Sequence, residues 1–126
     1  MTQTKGQVLW LDLTVENPGA LKDFYASVFG WTSRDVSMGD YSDYAMLADD
    51  GEAVAGVCHK RGPNAGVPPV WMAYVGVASL GRALEAVRAG GGEIIEERRG
   101  VNTASMAFIK DPAGTMIAMI EVDQGD

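Results

Sequence analysis

The chain has 126 residues, of which 47% are hydrophobic and 21% are charged, and its formal net charge at pH 7 is −7. This length and composition are typical of one globular domain, here residues 1–126, and the single cysteine excludes an internal disulfide. The acidic excess argues against nucleic acid as a partner, because that needs clustered Lys and Arg. The chain also lacks an apolar run of roughly 20 residues and an N-terminal signal stretch, which predicts a cytoplasmic protein without membrane contact.

The first predicted strand covers residues 8–15, where side chains alternate between an aliphatic face and a mixed face. The mixed face carries Trp10, Asp12 and Thr14, and we expect the aliphatic face to pack on a helix. Asn17 and Pro18 predict the start of that helix, with Asn17 as its side-chain cap. Its apolar positions follow helical spacing and Gly30 ends it; these positions are Leu21, Phe24, Tyr25 and Val28.

Two further strands are predicted at residues 44–48 and 52–59, joined by a tight turn at residues 49–51. Residues 60–69 are predicted to form a loop, which carries two Gly and three Pro residues. The chain then repeats its first pattern about sixty residues later.

The second copy predicts a strand that begins near Trp71, with Met72, Tyr74 and Gly76 on its mixed face. Ser79 is the predicted cap of the next helix, which ends at the glycines 90–92. Strands are predicted at residues 93–97, 104–110 and 115–122, and Asp111 to Gly114 has the pattern of a turn. The second copy has the order βαβββ, and the first, in which two strands after the helix are assigned, is interpreted as the same module, which indicates a duplicated fold.

This duplicated order, with Phe24-Tyr25, Phe29-Gly30-Trp31 and the Asp111-Pro112-Ala113-Gly114 turn, resembles the vicinal oxygen chelate superfamily. That superfamily includes glyoxalase I, the bleomycin-resistance proteins and the extradiol dioxygenases. The resemblance covers about residues 7–122 and implies an α+β fold, in which βαβββ modules at about 7–60 and 69–122 form one curved mixed sheet with the helices on its outer face. It also implies a homodimer, because related modules often pair across subunits.

Metal enzymes of this superfamily hold a divalent ion with His, Gln or Glu. By the same resemblance, the corresponding positions fall on Trp10, Met72 and Ala118, and near residues 54–56. None of these residues offers the oxygen or imidazole ligands that such ions prefer. We therefore expect neither a metal nor another cofactor.

The candidate site consists of residues on the mixed faces of the predicted strands. Asp12 is the one carboxylate among them and could bind a cationic group or act as a base. The others could line an apolar cavity or simply fill a core; they are Trp10, Met72, Tyr74, Met106 and Phe108. His59 has no acidic neighbour in the sequence and is expected to be exposed or to cap a loop, and Cys58 is expected to be a buried thiol.

Three functional hypotheses follow from these residues. The first is a metal-free protein of the glyoxalase and bleomycin-resistance type that sequesters a small cationic or aromatic molecule in an apolar cleft beside Asp12. The alternative is a metal-independent lyase or isomerase of the same superfamily that uses Asp12 and Tyr74 as acid and base. The third is a dimeric interaction module without a ligand.

Overall fold

The computed structural model describes residues 5–100 and 104–122. Over these residues the chain forms two compact units, the first made of residues 10–71 and the second of residues 5–9 and the described part of 72–122. Each unit packs one α-helix on β-strands, which confirms the predicted α+β class. The interpretation of the whole chain as a single glyoxalase-like domain stays a prediction.

Strand β1 spans Val8–Val15, and its residues from Trp10 onward belong to the first unit. Helix α1 (Pro18–Phe29) follows it. Strands β2 (Thr32–Ser37), β3 (Ser42–Leu47) and β4 (Ala53–His59) complete the unit in the spatial order β2-β3-β4-β1. The β1 and β4 strands are parallel, whereas β3 is antiparallel to both β2 and β4. The unit's core is Met46, Ala55 and Val57 with the partly buried Val15, Leu21, Trp31, Tyr44 and Trp71 packed against it.

The second unit repeats this plan. It contains strand β5 (Trp71–Val77), whose residues from Met72 onward belong to this unit, then helix α2 (Leu80–Ala89) and three further strands. These are β6 (Glu93–Arg98), β7 (Met106–Lys110) and β8 (Met116–Glu121), in the order β5-β8-β7-β6. The helix packs on the sheet face that carries Ala107, Ile109 and Met119, through Leu80 and Leu84. Neither α1 nor α2 is long and apolar enough to cross a membrane.

The helix ends were predicted with mixed success. Ser79 caps α2 as expected, because its hydroxyl accepts a hydrogen bond from the Arg82 amide at 3.2 Å. Gly30 ends α1 with φ +76°, the left-handed conformation that a glycine adopts without strain. The predicted cap at Asn17 is wrong, since its side chain makes no capping hydrogen bond. Pro18 occupies the first helical position and needs no amide partner.

Two features of the first unit differ from the sequence analysis. Strand β2 was not assigned, because its residues TSRDVS show little apolar alternation and every one of them is exposed on an edge strand. The apolar positions predicted for helix α1 are only partly covered: Phe24 and Val28, with the neighbouring Phe29, are 57%, 56% and 58% exposed. Leu21 packs against the core, whereas Tyr25 and Phe29 contact the tryptophans around it.

The core of the second unit gives a direct test of the packing. We expect Leu84→Ala to lower the free energy of unfolding by about 2–5 kcal/mol, because it removes buried methyl groups beneath α2 and leaves a cavity. Urea unfolding followed by circular dichroism measures this change. Ile95→Ala is the control, since Ile95 is 40% exposed and its loss should cost about 1 kcal/mol or less. Equal losses in the two variants would contradict the assignment of the core.

Candidate functional site

Asp12 lies in the first unit on the face of the sheet opposite the helix-packed core. In the parallel pairing of β1 with β4, Asp12 stands beside Gly56, and Thr14 stands beside Cys58. A Cβ atom at Gly56 would overlap the Asp12 Oδ1 atom. Glycine at position 56 is therefore what allows a carboxylate to lie across the neighbouring strand.

Both oxygens of the Asp12 carboxylate accept hydrogen bonds from side chains of its own unit. The Trp10 indole donates to Oδ1 at 2.8 Å, and the Cys58 thiol donates to Oδ2 at 3.6 Å. Among the described residues no Lys, Arg or His side chain forms an ion pair with Asp12. The partly buried carboxylate is thus held by two neutral donors and has no cationic partner there.

This setting changes the acidity of both Asp12 and Cys58. Burial raises the pKa of the Asp12 carboxyl, and the charge of Asp43 adds to the rise, while the hydrogen bonds from Trp10 and Cys58 oppose it. Burial, followed by the charges of Asp12 and Asp43, raises the pKa of the Cys58 thiol above its ordinary range. Cys58 is therefore a protonated donor near neutral pH and a poor nucleophile, since reactivity requires the thiolate.

A second carboxylate, which the sequence analysis missed, belongs to the same group of side chains. Asp43 on β3 is buried, and its Oδ1 atom accepts a hydrogen bond from the His59 amide at 2.9 Å and lies 3.1 Å from His59 Nδ1. His59 was expected to be exposed or to cap a loop, but it is instead half-buried and paired with Asp43. Asp43 is distant in sequence and reaches His59 only through the β3–β4 pairing, so no local pattern could reveal it.

The second unit brings together part of the predicted apolar set. Tyr74 pairs with Ala118 on β8, and Ala118 pairs in turn with Phe108 on β7. The Tyr74 and Phe108 rings meet edge to face at 6.2 Å, and the Arg98 guanidinium lies 5.1 Å from the Phe108 ring centre. Met72, Met106 and Phe108 are buried although they do not belong to the core beneath α2. Their role in ligand binding stays a prediction.

The residues that the resemblance assigns to the superfamily's metal positions do not fit a divalent ion. The only nitrogen of the Trp10 side chain already donates its hydrogen to Asp12 and has no lone pair in the ring plane to offer. Met72 and Ala118 are buried side chains without oxygen or imidazole, and Gly56 has no side chain. Within residues 5–100 and 104–122, no cluster of three or more His, Cys, Asp or Glu residues could hold a metal.

The βαβββ plan found in each unit defines a class of protein, namely one built on two copies of this unit. The chain belongs to the Glyoxalase/Bleomycin resistance protein/Dioxygenase superfamily, whose family model matches residues 7–119. The resemblance to the vicinal oxygen chelate superfamily found in the sequence is thereby confirmed.

Two relatives show what this chain is similar to. CFP32 of Mycobacterium tuberculosis carries the word glyoxylase in its name. It is 32% identical to this chain over 123 residues, covering 95% of this chain and 47% of the relative. The anthracycline biosynthesis protein DnrV of Streptomyces peucetius is 31% identical over 127 residues, covering 90% of this chain and 46% of the relative. The chain spans about half the length of these relatives.

Solved structures share the fold at low sequence identity. Methylmalonyl-CoA epimerase from Mycobacterium tuberculosis superposes with a TM-score of 0.61 at 17% identity, over 96% of this chain and 92% of the epimerase. A hypothetical protein, BH1468 from Bacillus halodurans, superposes with a TM-score of 0.60 at 14% identity, over 95% and 96% of the two chains. Identities this low show the fold alone.

The raised pKa of Asp12 predicts a specific pH dependence of stability. A carboxyl whose pKa is higher in the folded state binds its proton more tightly there, so its contribution to stability is lost as pH rises from the ordinary value of 3.8 through the raised folded value. We therefore expect wild type to lose stability relative to Asp12→Asn over this window. Urea unfolding of both proteins between about pH 3 and pH 7 measures the difference. A stability difference that does not change with pH would contradict the raised pKa.

Proposed function

We propose that this protein binds a small organic cation, aliphatic or aromatic, at the Asp12 carboxylate without the help of a metal. The observation that supports this function best is a partly buried carboxylate whose side-chain partners, within the part of the chain that the structure describes, are two neutral donors, an indole N–H and a thiol. Carboxylates removed from water are normally paired with a cation or neutralised by a proton. A ligand cation would supply the missing charge.

The surrounding charges favour the same class of ligand. Asp43 lies close enough to raise the pKa of Asp12 by charge repulsion, and a cation is attracted by both carboxylates. The net charge of −7 attracts cations over longer distances as well. Trp10 next to Asp12 offers an aromatic ring, on which cationic groups bind favourably.

One observation also favours the enzyme hypothesis. A carboxyl whose pKa is raised toward the working pH can accept and return a proton, which is the property expected of a general base. In that hypothesis Asp12 would be the base and Tyr74 the acid of a metal-independent reaction.

The cytoplasmic location predicted from the sequence remains a prediction.

The binding proposal predicts that ligand charge matters more than ligand shape. We expect a thermal-shift screen of amines against matched neutral alcohols, beginning with benzylamine and benzyl alcohol, to raise the Tm with the amines only. For an amine that binds, Asp12→Asn should weaken the affinity about tenfold or more, because it removes a charge-assisted contact. Isothermal titration calorimetry measures this loss.

The control for that experiment is Asp35→Asn, which removes one negative charge from an exposed residue of β2 in the same unit. It should leave amine affinity nearly unchanged, since exposed charges are screened by salt. Equal binding of amine and alcohol, or equal losses in the two variants, would exclude Asp12 as the ligand's partner. Chemical conversion of a bound ligand would favour the enzyme hypothesis instead, provided that the conversion persists after metal ions are removed with a chelator and is abolished by Asp12→Asn.

We also propose that the chain forms a homodimer through the exposed apolar residues of α1, Phe24, Val28 and Phe29, here called the α1 patch. These three side chains are each more than half exposed. Phe24 and Phe29 both contact Tyr25, at ring distances of 5.1 and 5.7 Å, so the patch continues into a cluster of aromatic rings. Contiguous apolar surface of this kind is typical of protein interfaces.

The dimer proposal predicts that a charge placed in the α1 patch prevents association. We expect wild type to have twice the monomer mass in light scattering at micromolar concentration, and Phe24→Lys with Phe29→Lys to have the monomer mass. Met38→Lys is the control, because Met38 is 47% exposed but lies outside α1. A monomeric wild type, or a dimer that survives the double substitution, would refute the proposal.

A further inference from the structure

A cleft of about 620 Å³ lies wholly within the second unit, at the start of α2. Its apolar wall comes from the end of β5 and the first turn of the helix, where Val75, Val77 and Ala83 line it. The volume is within the range of small-molecule sites, which are also mainly apolar with a few polar groups. The cleft shares no lining residue with the Asp12 group, so an inference from it is independent of the proposed function.

Residues 5–7, which lie beside β5, are held there by backbone hydrogen bonds. The Gly6 amide donates to the Gly76 carbonyl at 2.7 Å, and the Gly76 amide donates to the Gln7 carbonyl at 3.0 Å. This pairing places Lys5, the next residue along, in the lining of the cleft. Arg82, on the first turn of α2, supplies a second cation to the same lining.

The charged side chains of the lining are both positive. Lys5 and Arg82 have no acidic neighbour in the lining, and over the described part of the chain neither takes part in an ion pair. This is unusual in a chain with 17 acidic and 10 basic residues. Two amides at the start of α2 are already paired, because Glu121 and Ser79 accept from the Leu80 and Arg82 amides, so the proposal does not depend on the helix start.

We propose that this cleft binds an amphipathic organic anion, with an apolar body against Val75, Val77 and Ala83 and a carboxylate between Lys5 and Arg82. Apolar contact contributes affinity in proportion to the area removed from water. The two cations select the sign of the head group and pair with it, as guanidinium and ammonium groups do with carboxylates. The ligand class is thus opposite in charge to the one proposed for Asp12.

The probe for this site is octanoate, compared with octanol, which has the same apolar body without the charge. In a ¹H–¹⁵N NMR titration of the intact chain, we expect octanoate to shift the amide signals of Val75, Gly76, Val77 and Ser79 in a saturable way. Octanol should bind at least about fivefold more weakly. Octanol binding as tightly as octanoate, or shifts confined to other residues, would overturn the proposal.

Substitutions then separate the cations of the cleft from the general charge of the protein. Arg82→Gln and Lys5→Gln should each weaken octanoate binding roughly three- to tenfold and leave octanol binding unchanged. Arg88→Gln is the matched control, because Arg88 is on the same helix but outside the cleft lining. Folding is not at risk, since all three side chains are exposed. An equal effect of Arg82→Gln and Arg88→Gln would exclude a specific site.

Discussion

The interaction on which the first unit's chemistry depends is the close approach of the Asp12 carboxylate to the backbone of β4. It requires parallel pairing of β1 with β4 and the absence of a side chain at Gly56. Trp10 and Cys58 then hold the carboxylate in place from either side. A larger residue at position 56 would displace the carboxylate, so the site and the strand register depend on each other.

The residues that the resemblance assigns to the superfamily's metal positions offer indole, thioether and methyl groups. These groups cannot hold a divalent ion, which would fix and polarise a bound oxygen. What this face offers instead is one carboxylate with a raised pKa, next to a second carboxylate that is paired with a histidine. The same fold can thus carry functions that share no catalytic step.

The sequence revealed the elements whose signals are local and concealed those set by tertiary pairing. Clean alternation in β1 was sufficient to place Asp12 and Trp10 on one face, and the hydrogen bond between them confirms that placement. The contact of Asp43 with His59 could not be predicted, because it depends on the register between β3 and β4. Periodicity likewise identified the apolar stripe of α1 but could not show that half of it remains uncovered, since burial depends on what packs against a helix.

The distribution of tryptophan between the two units has a consequence for spectroscopy. All three tryptophans, Trp10, Trp31 and Trp71, belong to the first unit, where the rings of Trp31 and Trp71 lie 6.2 Å apart. The second unit contains no tryptophan among its described residues, and Tyr74 is its one described tyrosine. Tryptophan fluorescence, excited at the red edge of the absorption band where tyrosine does not absorb, therefore reports the unfolding of the first unit alone. Far-ultraviolet circular dichroism reports the unfolding of both units. Any loss of cooperativity between the units would appear as two unfolding midpoints that do not coincide.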